Sequence, residues 1–411
     1  MKFKVDFWLK FSLVNLFLVA LLGSLLRYKI GFPFPALEFK NLLHSHSHFA
    51  FAGWITHTIM VLMIYFLQQN SNAVKLTKYS WYLMANLFTA YGMMVAFILQ
   101  SYAFWSILFS TLSIFISYGF SYAYYKDLKT IQNKPIVKKW FSGALFFLVI
   151  SSIGTFGLAY MTATKNIVQS YQLGSIYFYL HFQYNGWFFF ACMALLLNSL
   201  KLGAGQIKLF SKVYLWFFTS CLVGYFLSIL WVDLPWWVIV IAILFAVIQF
   251  VVWIIMLVSL LRHNKSQFQD KALFLKNILR FVVLCATLKF VLQILSTLPS
   301  LSSLAFGFRT LAIGYLHLVL LAVISLYLLY YIYANRLMSI NTLIKWGLIS
   351  FAIGVFLNEL ALAIQGLTAF GIFLLPKINQ TLFGIALLLC VSIALVAFSP
   401  KSLRIKQEEL K

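Results

Sequence analysis

The sequence predicts an all-α, polytopic membrane protein of twelve transmembrane helices, and three observations carry that prediction. Of its 411 residues, 63% are hydrophobic and 9% charged, with a mean hydropathy of +0.94. A water-soluble chain of this size lacks the polar surface to cover so much apolar area. The apolar residues are gathered into stretches of about 20, the length a helix needs to cross a bilayer. Between them, Lys and Arg alternate from crowded to sparse, as they do on the two sides of a membrane.

The spans read, in order, as 7–26, 44–67, 79–99, 104–124, 140–161, 174–199, 211–232, 236–260, 277–296, 310–333, 344–364 and 376–398. The first follows Met1, Lys2 and Lys4 and is not followed by a small-residue cleavage site, so it reads as a span rather than a signal peptide. The second is entered through His44, His46 and His48. Short polar punctuation separates the third and fourth. The fifth follows the basic run from Lys126 to Lys139, and the ninth follows that from Arg262 to Arg280. The whole chain reads as one transmembrane domain, in modules of about 1–139, 140–276 and 277–411.

The formal charge of +23 raises the possibility of nucleic acid, but its placement excludes that partner. With the amino terminus inside, 24 of the 31 Lys and Arg lie in or beside interior segments and six outside, with Lys289 left within a span. That bias places both termini in the cytoplasm of a bacterial-type inner membrane, with the lipid bilayer as the surrounding partner. Cys192, Cys221, Cys285 and Cys390 all fall inside spans and read as packed core.

Ionisable groups inside a membrane are costly and mark function or a buried partner. Six of the seven histidines, His44, His46, His48, His57, His181 and His317, lie in or at the ends of spans. His263 falls in a cytoplasmic loop and reads as a solvated base. His48, His181 and His317 lie within about two turns of the outer entry of spans two, six and ten. The first two open the same motif, HFxxxGW, ending at Gly53-Trp54 and Gly186-Trp187. The three are 133 and 136 residues apart, close to a third of the chain each time. A threefold repeat of four-helix modules follows, each offering a histidine from its second helix.

For one such histidine the plain reading is a hydrogen bond to a neighbouring helix. Three at matched depth and period point to a cofactor or metal. Haem suits them, because axial imidazoles from facing helices can hold a flat apolar disc. Gly53 and Gly186 would let a large ring approach the backbone. His44 and His48 share a helix face while His46 points elsewhere, so one can ligate iron while another binds a second ion. His57, deeper, reads as a structural hydrogen-bonder.

These residues resemble the haem–copper oxidase superfamily, its catalytic subunit I and the related nitric oxide reductase large subunit. The resemblance covers the whole chain in architecture and three spans in motif. It implies twelve spans in three arcs of four and a low-spin, b-type haem held by His48, or by His46 or His44 in its place, and by His317. It implies His181 as a copper ligand and Tyr315 where the family has the histidine of its active-site haem. Span seven, YLWFFTSCLVGYFLSILW, lacks the family's adjacent copper histidines, so copper would find an incomplete or altered centre. The resemblance further implies an electron-donor cytochrome or partner subunit.

Arg309, about two turns above His317, is the candidate partner for haem propionates, with an interfacial anchor as its alternative. Arg27, Lys29, Lys40 and Lys377 are the other cations of that face. Glu359 is the one carboxylate well within a span and reads as a proton carrier, a metal ligand or a structural acid bonded to Asn358 or Gln365. Lys289 is expected to snorkel toward the interior face rather than serve a proton path. The functional expectation is a haem protein for electron transfer or for O2 or NO reduction. A transporter or metal-binding protein using the outer His44, His46, His48 and Glu359 is the alternative.

Overall fold

The computed structural model describes residues 3–298, 301, 309–368 and 376–400, the side chains of 309, 367 and 368 excepted. Among them every regular element is helical. Twelve helices are long and apolar enough to cross a membrane: α1 (Val5–Gly31), α2 (Phe39–Asn70), α3 (Thr77–Gln100), α4 (Phe104–Thr130), α5 (Pro135–Ala163) and α6 (Gln169–Asn198). The rest are α7 (Ala204–Ile229), α8 (Trp236–His263), α9 (Leu273–Leu295), α10 (Thr310–Ala334), α11 (Thr342–Gly366) and α12 (Ile378–Ala397). Every expected span is present, most of them a turn or so longer. The protein is an integral membrane protein whose apolar outer residues, such as Trp81, Phe88 and Leu99, face lipid.

Local chemistry sets several ends. Pro135 opens α5 at the first turn, where its missing N–H costs nothing. After α3, Ser101 takes a left-handed φ of 55° and turns the chain sharply into α4. The last turns of α7 tighten from α to 3-10 geometry at Gly224–Ile229.

Three helices differ from the others in their hydrogen bonding. The helix α2 passes through a π-helical stretch at Ala50–Thr56, α6 at Phe182–Phe188 and α10 at Leu318–Ser325. Each stretch begins one or two residues after His48, His181 or His317. These three helices are also the most interior: 83%, 89% and 50% of their apolar windows are buried, against 22–44% elsewhere.

The chain divides into two compact units. The first comprises Met1–Ile131, Ala272–Ile278 and Ser325–Lys411. In it α1 packs on α2 and α12, α3 bridges α2 and α4, and α11 packs on α12. Its π stretch in α2 is held from both sides. The Asn15 amide of α1 donates to the Gly53 carbonyl at 2.5 Å, and the Asn86 amide of α3 donates to the Ala52 carbonyl at 3.1 Å. Tyr91 in turn donates to Asn15 Oδ1 at 2.6 Å. Widened i→i+5 bonding leaves carbonyls off the regular ladder, and in a membrane such groups need partners. Trp54 is buried and donates from Nε1 to Ser325 Oγ at 2.8 Å.

The second unit comprises Gln132–Lys271 and Leu279–Ile324. Here α5 packs on α6 and α7, and α7 on α8. Trp253, Phe189 and Phe217 gather round Phe290 of α9. The third expected sequence module is shared between the units. The two glycines of HFxxxGW also receive an answer from packing. A Cβ at Gly53 would meet the Phe49 ring at 2.6 Å, and one at Gly186 would strike Phe147 of α5. The ring each glycine admits is a phenylalanine of the protein itself.

Candidate functional site

The histidines divide by what their two ring nitrogens do. A carbonyl can only accept, so a ring nitrogen bonded to one must carry the proton, and the other then holds the lone pair. In α2, His46 Nδ1 donates to the Val19 carbonyl of α1 at 3.0 Å, and its Cε1 lies against Gly23, where a Cβ would stand at 3.1 Å. In α10, His317 Nδ1 donates to the Ile313 carbonyl at 2.8 Å. Both rings are thereby oriented with the lone pair on Nε2, as metal-ligating imidazoles commonly are.

His181 is the opposite case. Its Nε2 donates to the Cys221 carbonyl of α7 at 2.8 Å, and the Asn185 amide donates to Nδ1 at 3.1 Å, with Ser228 Oγ at 3.3 Å. Both nitrogens are thus engaged, and the residue is buried. The cause lies in α7, where the chain tightens after Cys221 and glycine stands at position 224, one turn beyond. A Cβ at Gly224 would lie 3.4 Å from His181 and 3.8 Å from Gln293 Nε2. Where the resemblance leads one to look for copper histidines, α7 presents a carbonyl and a glycine.

His44 and His48 share one helix face, as their spacing predicts, and that face meets Phe97 of α3. The His48 ring stacks on Phe97 at 4.3 Å, and its Nε2 lies 3.1 Å from the Tyr102 hydroxyl. His44 Nε2 is buried and has no hydrogen-bond partner among the described residues. Burial raises the Tyr102 phenol above its ordinary pKa, so it stays protonated at neutral pH.

His57 departs from expectation. It is fully buried, its ring 6.1 Å from that of Trp8, and neither nitrogen has a hydrogen-bond partner among the described residues. Lys289 departs as well. It does not snorkel: it is 5% exposed, donates to Gln293 Oε1 at 3.0 Å and lies 4.1 Å from the centre of the Phe290 ring. Gln293 passes the chain on to Gln249 Oε1 at 3.1 Å. The amides of α8 and α9 give the ammonium an alternative to reaching for water.

The remaining candidates are scattered. Glu359 accepts from the Asn358 amide at 3.2 Å, while Gln365 turns to Asn379 at 3.3 Å. Tyr315 stands edge-on to Tyr184, ring centres 6.2 Å apart. Arg309 directly precedes Thr310 of α10, but its side chain lies outside the described residues. His263 is exposed, and the four cysteines are buried thiols. Among the described residues no three His, Cys, Asp or Glu gather as a metal cluster. His44, His46 and His48 belong to the first unit, His181 and His317 to the second. No family model matches the chain, and no curated protein matches it.

Proposed function

We propose that this is a haem-binding membrane protein of the haem–copper oxidase type whose task is electron transfer. The observation that carries the reading is the shared state of His46 and His317, each ring oriented by an Nδ1–H given to a backbone carbonyl. His46 is the residue of α2 that would hold the group, in preference to His48, whose ring stacks on Phe97 of α3. His317 is the corresponding residue of α10, in the second unit. Haem held by an imidazole of this kind would supply a reversible one-electron couple.

The protein's part is to fix the two imidazoles and keep water away. Val19 and Ile313 fix them through their carbonyls, and the aromatic, lipid-surrounded helices exclude water. The π stretches after His48, His181 and His317, all on the most interior helices, support a threefold arrangement of four-helix modules, and the bias of Lys and Arg supports cytoplasmic termini. The engagement of His181 and the histidine-free α7 support electron transfer over O2 or NO reduction at a copper centre.

An absorption spectrum of the detergent-purified protein tests the reading. The reduced form is expected to show an α band that is lost in His46→Ala and in His317→Ala. A folded protein made in haem-sufficient cells with no Soret band sinks it.

A further inference from the structure

The haem reading leaves two of the clustered histidines unused. His44 and His48 are one turn apart on one face of α2, and both rings lie against the same two aromatic side chains. His44 is 5.9 Å from Phe97 and 4.7 Å from Tyr102 between ring centres; His48 is 4.3 Å and 6.0 Å from them. The two imidazoles therefore share the same pair of aromatic neighbours. The buried Nε2 of His44 has no hydrogen-bond partner among the described residues, and buried polar atoms without partners are uncommon. The Tyr102 hydroxyl sits 3.1 Å from the Nε2 of His48. Ser101, held at φ 55° and ψ −140°, is the bend that sets Tyr102 in place.

We propose that His44 and His48 form a second site, separate from the haem, for a divalent transition ion, with the Tyr102 oxygen or water in the remaining positions. Imidazoles at i and i+4 are the spacing by which a helix chelates zinc. Two nitrogens without carboxylate or thiolate select Zn(II) or Cu(II) over hard ions such as Ca(II) and over strictly thiophilic ones. The Tyr102 hydroxyl, 3.1 Å from His48 Nε2, enters as a donor to the ion or as its hydrogen-bonding neighbour. Lys40, one turn before His44 and within electrostatic reach of it, opposes the ion's charge and keeps the site exchangeable. On the topology proposed above, this end of α2 faces outward, so the ion would come from the extracytoplasmic side.

Zn(II) titration by calorimetry and Cu(II) paramagnetic resonance on the full-length protein, with haem as purified, test the site. One ion per chain is expected, with nitrogen hyperfine structure in the Cu(II) signal. His44→Gln and His48→Gln, which keep most of the side-chain volume, should each weaken binding at least about tenfold and leave the haem spectrum unchanged. Tyr102→Phe, which keeps the ring, serves as the fold-preserving variant and should shift the Cu(II) signal. Unchanged affinity in both histidine variants overturns the proposal. So does loss of the haem α band in His48→Gln, because the pair then belongs to the haem. A protein without a Soret band that still binds copper through these residues leaves this site standing and removes only the haem reading.

Discussion

At His181 the bonded carbonyl and amide convert a residue of ligand type into a tie between α6 and α7. His181→Ala should leave any haem spectrum as it is. It should also cost about 1–3 kcal/mol, since the Cys221 carbonyl and Asn185 amide lose their partner in a dry interior; thermal unfolding in detergent would read this. Gly186→Ala should cost about 1–3 kcal/mol by driving a methyl into Phe147, also visible as a lowered Tm. Tyr102 carries a pH dependence of determined sign. Its phenol binds its proton more tightly when folded, so its contribution is complete below the unfolded pKa and is lost as pH rises through the raised folded value. The alkaline limb of a pH–stability profile should therefore flatten in Tyr102→Phe.

At the scale of the element, the twelve spans were legible because length and apolarity alone decide whether a helix can cross a bilayer. The shared face of His44 and His48 was legible for the same kind of reason, being local helix geometry. The π stretches were not, because i→i+5 bonding changes which backbone groups meet without changing which side chains are apolar. Nor could the sequence show that His181 would be engaged, since its partner is a carbonyl exposed by a tightening of α7, forty residues away. Lys289 was misjudged because Gln293 and Gln249, unremarkable singly, form its hydrogen-bonded surroundings only when α8 and α9 come together. The supports of the π stretch in α2 can be tested. Asn15→Leu strips the Gly53 carbonyl and the Tyr91 hydroxyl of their partner, and a loss of about 1–3 kcal/mol is expected in detergent unfolding.

For the whole molecule, the distribution of charge predicts orientation. A fluorescent reporter at either terminus should mature, whereas alkaline phosphatase fused there should stay inactive; fused after Lys165, between α5 and α6, phosphatase should be active. Active phosphatase at both termini would invert the topology and turn the His44 end of α2 toward the cytoplasm. The one ion pair among the described residues, Lys78 with Asp127 at 2.7 Å, joins α3 to α4, and Tyr79 also donates to Asp127 at 2.7 Å.

The π stretches also govern angular phase. Each residue advances an α-helix by about 100°, and a π turn holds more residues than an α turn. In α2 the wider stretch thus sets the azimuth of the His44 to His48 segment against that of His57 and everything beyond it. Deleting one residue within Ala50–Thr56 would let the helix regularise at the cost of swinging its two halves past each other by about that angle. Either the histidines would turn away from Val19 and Tyr102, or Trp54 and His57 would leave their buried positions. Length variation at these three places would therefore be read in the direction the histidines point as well as in stability.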